Sequence, residues 1–142
     1  MFACLVDGEP WIAETPPSIS GPIPLSGEYN SSGGFLTLQA TRKNTDNNLY
    51  DKFYIYGFDI YGIINDSIRS QNPEPVGFIN YMTSNCQEYY HDTIQKGVLN
   101  ITHFDNINYI ISGTFSMDLF NPSCSTEIMH ITNGRFDFKY SY

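Results

Sequence analysis

Positive charge is scarce in this 142-residue chain: seven Lys and Arg stand against fifteen Asp and Glu, for a net charge of −8. No basic cluster is longer than Arg42-Lys43. A surface for duplexes or phosphates needs clustered cations, so no nucleic-acid partner is expected. Long apolar runs are missing too. Most stretches, such as Tyr109-Ile110-Ile111, stop after three or four residues, and Met1 to Val6 after six, far short of the ~20 that a membrane helix requires. Only three Cys and three His occur, and no two Cys have C-x-x-C spacing. No metal centre and no cofactor are expected from such a set. Ala (3) and Leu (7), on which helix-rich domains lean, are few.

What the chain has instead is Ile (16), Tyr (11) and Phe (10), branched and aromatic side chains that suit a pleated, half-buried surface. Thirteen Asn, eleven Gly and eight Pro supply turn chemistry. No stretch of ten residues keeps apolar groups at helical spacing without a Gly, Pro or Asn in the way. A chain of this length buries about two-thirds of its extended surface on folding, enough for one core. The expectation is an all-β, mostly antiparallel single domain over 1–142 with about eight to ten strands. A barrel-like, calycin-like closure is the first choice and a two-sheet sandwich the second.

Strands are expected over 3–6, 9–13, 35–42, 49–61, 76–82, 87–91, 98–104 and 109–120. Asp7-Gly8 suits a two-residue turn with positive φ, which sets Cys4 opposite Trp11 and Pro10 on an edge. Segment 15–34, with four prolines, four glycines and five serines, is expected to be an irregular crossing or loop. In 109–119 the odd positions are apolar or Gly and the even ones mostly polar, giving one core face and one wet face. Near the C-terminus the apolar parity changes: Met129 and Ile131 are odd, whereas Phe136, Phe138 and Tyr140 are even. A hairpin at Asn133-Gly134 removes the conflict and would place His130 opposite Asp137. A bulge in one long bent strand produces the same shift.

Catalytic candidates are sparse. His103 and Asp105 lie two apart on an expected strand, and His130 beside Asp137 would orient an imidazole for general-base work. Neither has an evident nucleophile, so no enzyme is expected; a hydrolase using His130 or His103 is the alternative. Asp46, Asn47, Asn48 and Asp51 offer oxygens, but their spacing fits no established calcium loop. Binding has a clearer foothold. Tyr54, Tyr56 and Phe58 share one side of a strand, and aromatic groups with hydrogen-bonding ends suit glycans, other small molecules or envelope proteins.

Three ordered blocks carry a resemblance. The opening Phe2-Ala3-Cys4-Leu5-Val6-Asp7-Gly8-Glu9-Pro10-Trp11, the segment Leu99-Asn100-Ile101-Thr102-His103-Phe104-Asp105 with Ile110-Ile111-Ser112-Gly113-Thr114-Phe115, and the ending Ile131-Thr132-Asn133-Gly134-Arg135-Phe136-Asp137-Phe138-Lys139-Tyr140 resemble a family of secreted lipoprotein domains of Bacteroidetes bacteria. The resemblance implies a place and no chemistry: an exported, outer-membrane lipoprotein, touching the membrane only through a lipid anchor. Met1 directly precedes the family-like pattern, so the signal peptide and lipid-bearing Cys are expected outside this sequence. In that compartment a Cys86–Cys124 disulfide is expected, contributing at most about 4 kcal/mol. Cys4 is then a buried, inert thiol. Asp66-Ser67-Ile68 and Asp92-Thr93-Ile94 resemble a short bacterial O-glycosylation pattern, with Ser67 and Thr93 as acceptors. The role expected is a non-enzymatic binding module of the cell envelope, with a structural surface protein as the alternative.

Overall fold

The computed structural model describes residues 1–15, 21–45, 49–68, 77–82, 89–90, 97–121, 123 and 125–140, with the backbone alone for 64–68, 77–80 and 125–127. Every regular element among them is a strand: β1 (Phe2–Val6), β2 (Glu9–Ile12), β3 (Leu25–Asn30), β4 (Phe35–Lys43), β5 (Tyr50–Gly57), β6 (Ile64–Ile68), β7 (Gly77–Met82), β8 (Tyr89–Tyr90), β9 (Gly97–Asp105), β10 (Ile110–Asn121) and β11 (Ser125–Lys139). They form one curled antiparallel sheet, a half-barrel, in the order β2-β1-β11-β10-β8-β7-β5-β4-β3. β10 is the branch point. Its Ile110–Met117 portion pairs with β9, which in turn pairs with β6, while Phe120 pairs with Tyr90 of β8.

Curling brings the inner faces of the two ends together. Phe2, Trp11, Phe53, Tyr81 and Phe115 meet there, with ring centroids 4.3 Å apart for Phe53–Tyr81, 4.8 Å for Trp11–Phe53 and 5.1 Å for Phe2–Phe115. A second cluster joins Tyr29, Phe104, Tyr109 and Tyr140, and the Tyr29 hydroxyl donates to the Ile60 carbonyl at 2.5 Å. Aromatic side chains thus pack on the inner side of the curled sheet, in agreement with the barrel-like all-β expectation.

The first hairpin forms as the dipeptide requires. Asp7 (φ 50°) and Gly8 (φ 87°) both take positive φ, Cys4 pairs with Trp11, and Pro10 lies on the terminal strand β2. The C-terminal expectation is corrected: there is no hairpin at Asn133-Gly134, because β11 runs unbroken through it. Phe115 pairs with Gly134 and Met117 with Ile131, so Ser116 faces two residues. On the other side Ala3 pairs with Arg135 and Leu5 with Thr132. Both neighbours register one extra residue, and Asn133 at φ 52° absorbs it. Since β11 is hydrogen-bonded on both sides, a bulge keeps two ladders that a turn would break.

A second correction concerns 15–34, which is not irregular throughout. Leu25–Asn30 forms β3, in register with β4 from Leu25↔Ala40 to Asn30↔Phe35. Its Ser-Gly-Glu stretch has little strand propensity, but Tyr29 is buried, and Gly27 admits the Phe138 ring where a Cβ would come within 2.6 Å. Tertiary packing overrides propensity here. β5 also ends earlier than expected, at Gly57; the chain bends at Asp59 (φ 55°) and returns Ile60 to the core.

Candidate ligand-binding face

The alternation of β5 sorts its side chains. Asp51, Phe53, Ile55 and Gly57 are buried on the inner side, and Lys52, Tyr54 and Tyr56 are half-buried on the outer side. β4 does the same with Leu36, Leu38 and Ala40 inside and Thr37 and Gln39 outside. Register then builds rows on the outer surface: Ser26–Gln39–Tyr54, Glu28–Thr37–Tyr56 and Asn30–Phe35. The Tyr54 and Tyr56 rings lie 6.4 Å apart and within 15° of parallel. An open groove of about 460 Å³ runs beside them, lined also by Ser26, Glu28, Thr37 and Gln39.

Phe58 is not in that lining. It packs on Phe35 at 5.2 Å, and Phe35 lines a second groove of about 390 Å³ with Glu28, Asn30, Ser32 and Thr37. The three residues expected from the sequence thus reach one surface, Tyr54 and Tyr56 directly and Phe58 through Phe35. Phe35, Thr37, Gln39 and Glu28 were missed. Their strand alternation was legible, but β3 as a neighbour was not.

The histidines part from their expected partners. His130 does not pair with Asp137, because the bulge leaves both on one strand. Its Nδ1 lies 2.7 Å from Asp118 Oδ1, and that contact raises its pKa. Its backbone N–H donates to Asp7 Oδ1 at 2.7 Å, and the Asp7 N–H donates back to the His130 carbonyl at 2.9 Å. Asp105 caps a turn: Asn108 Nδ2 donates to it at 2.7 Å, and the Ile107 and Asn108 N–H groups at 2.9 Å. Those bonds, led by the Asn108 side chain, lower its pKa.

One row does bring His103, Ser112 and Asp137 together across β9, β10 and β11. Ser112 Oγ donates to Asp137 Oδ1 at 3.1 Å. The hydroxyl sits between imidazole and carboxylate, whereas a relay needs the imidazole in the middle. The row lies on the outer face, with His103 and Asp137 exposed. It is a cross-strand polar ladder in form.

Inside the barrel, Asp51 is buried and paired to Arg42 at 3.0 Å, and the Arg42 guanidinium lies 5.2 Å over the Trp11 ring. Burial pushes the nearby Cys4 thiol up to about 12, against the pull of Arg42. The thiol is buried, as expected, and burial favours its protonated form. Burial, then Asp51, raises Tyr81 as well. Asp51 is thus committed inward; Asp46, Asn47 and Asn48 lie outside the described residues, as do Cys86, Cys124 and Thr93. Ser67 lies in β6, its backbone paired with Val98. Among the described residues no three His, Cys, Asp or Glu groups gather to hold a metal, and no helix is long and apolar enough to cross a membrane. Compared with family models, curated proteins and solved structures, the chain matches none.

Proposed function

We propose that this chain is a non-enzymatic binding module of the bacterial cell envelope, and that the outer surface of β3, β4 and β5 holds its ligand. One observation carries the reading: Tyr54 and Tyr56 line an open groove on the outer side of the sheet, opposite the buried Phe53 and Ile55. Aromatic groups with polar ends at the wall of a groove suit contact with a small molecule or glycan. Placement in the envelope rests on the resemblance carried by the three sequence blocks at 2–11, 99–115 and 131–140.

A structural surface role is the second reading, supported by the aromatic packing on the inner side of the sheet. The two part in a thermal-shift screen of the purified chain against glycans, lipids and divalent ions. The binding reading expects at least one probe to raise the melting temperature of the native chain and leave Tyr54→Ser/Tyr56→Ser unmoved. A screen without any shift, or with equal shifts in both proteins, overturns it.

A further inference from the structure

We infer that the occupant of the β3–β4–β5 surface is an uncharged, hydroxyl-rich oligosaccharide lying along β4; this deepens the binding reading and rests on it. The two grooves share Glu28 and Thr37 in their linings, so they adjoin. Together they make one trough over three successive outer rows of the sheet, about 13 Å from the first row to the third at strand spacing. Aromatic pairs stand toward its ends, Tyr54–Tyr56 at one and Phe35–Phe58 at the other. Polar side chains stand beside the tyrosines in the same rows, Ser26 and Gln39 with Tyr54, and Glu28 and Thr37 with Tyr56. A sugar chain, whose C–H faces stack on rings and whose hydroxyls lie at the edges, matches rows that set a ring beside polar groups.

The alternatives fail on charge and backbone chemistry. Among the described residues the lining holds one carboxylate, Glu28, and no Lys or Arg, in a chain of net charge −8. A sulfated or uronic-acid glycan, a phosphate or an anionic lipid would meet repulsion there and find no cation in that lining, since Lys52 stands one row beyond Tyr54. An acyl chain needs a dry enclosure, and the trough is open. A peptide strand gains affinity by extending a sheet edge. Here the trough lies on the face of β4, whose backbone is paired to β3 on one side and β5 on the other.

The test is calorimetric titration of the purified chain with cellohexaose, xylohexaose, laminarihexaose and maltohexaose. Oligogalacturonate and phosphatidylcholine vesicles form the comparison arms. Tyr54→Ser/Tyr56→Ser and Gln39→Ala are run beside the native chain, with melting curves to establish folding. Saturable binding of at least one neutral sugar, weakened about tenfold or more by each variant, supports the inference. Tyr-dependent binding of oligogalacturonate or vesicles, without neutral-sugar binding, overturns it and leaves the binding surface standing. Neutral-sugar binding that neither variant weakens overturns both the inference and the surface. No binding by any neutral sugar overturns the inference.

Discussion

The outer faces of β3–β4–β5 and of β9–β10–β11 follow the same two-residue alternation, yet they are dressed differently. The second face spends its polar groups on one another: Asn100 Nδ2 donates to Thr114 Oγ1 at 3.2 Å, Ser112 bonds Asp137, and His130 meets Asp118. Such pairs stitch neighbouring strands at about 0.2–1 kcal/mol each. A depression of about 310 Å³ beside the bulge is lined by Asn100, Thr114, Ser116 and Arg135 together with Val98 and Phe115. The first face instead carries Phe35, Tyr54, Tyr56 and Phe58 over a trough. Polar ladders dress one outer face, and rings beside a groove dress the other.

The bulge on which the polar half depends offers the sharpest break. Deleting Asn133 restores a straight ladder and sends Phe136, Phe138 and Tyr140 to the outer side. Burial of each ring contributes about 2 kcal/mol, so the sum rivals the whole stability of a domain of ~5–15 kcal/mol. The deletion variant is expected to show no cooperative urea transition. A transition near the native midpoint would mean that β11 tolerates either register.

Glycines give a smaller contrast. A Cβ at Gly134 would lie 2.6 Å from the Phe115 ring, whereas at Gly33, on the β3–β4 turn, it would meet nothing within 4 Å. Gly134→Ala should cost about 1–3 kcal/mol, and Gly33→Ala about 0.5 kcal/mol or less, both read by chemical unfolding. Equal costs would show that close packing under the polar face is not what Gly134 serves.

On the surfaces themselves, Ser112→Ala removes a single ladder bond and should lower stability by about 0.2–1 kcal/mol, without changing sugar titrations. Tyr54→Ser/Tyr56→Ser should do the reverse, losing binding while keeping a cooperative melt. If Ser112→Ala weakened binding as much as the tyrosine pair, the two faces would not differ in role.

The smallest effect is electrostatic and belongs to the polar face alone. The folded pKa of His130 is raised by the Asp118 hydrogen bond and charge, from an ordinary value of 6.5. Its contribution is therefore fully present below about 6.5 and is lost as pH rises through the higher folded value. Both side chains are well exposed, so the gain is small and screened by salt. Urea midpoints across that window should fall slightly more for the native chain than for Asp118→Asn. A parallel pair of profiles would remove the ion pair from the stability of the sheet.

Much of this was readable along the chain. Asp7-Gly8 specified its turn, and that turn alone set Cys4 against Trp11. The alternation in 109–119 named Ile111, Phe115 and Met117 as core, and all are buried. Tyr54 and Tyr56 were legible as sharing a side. The parity change around Asn133 was visible too, but a turn and a bulge satisfy it equally; only hydrogen bonding to β1 and β10 together decides between them. The same ambiguity misplaced the partner of His130. β3 escaped notice because Leu25 and Tyr29 are its only large apolar residues, and a ring from β11 fills the space that Gly27 leaves.

A period of two in the side chains is a property of the backbone, so the strand class, the first hairpin and the side on which most residues fall follow from the order of residues alone. Which strand lies beside which is set by long-range packing and hydrogen bonding between segments far apart in the chain. For that reason the bulge of β11 in place of a turn, the meeting of His130 with Asp118 instead of Asp137, and the placing of Phe35, Thr37 and Gln39 beside the tyrosines emerge from the folded sheet and not from local pattern.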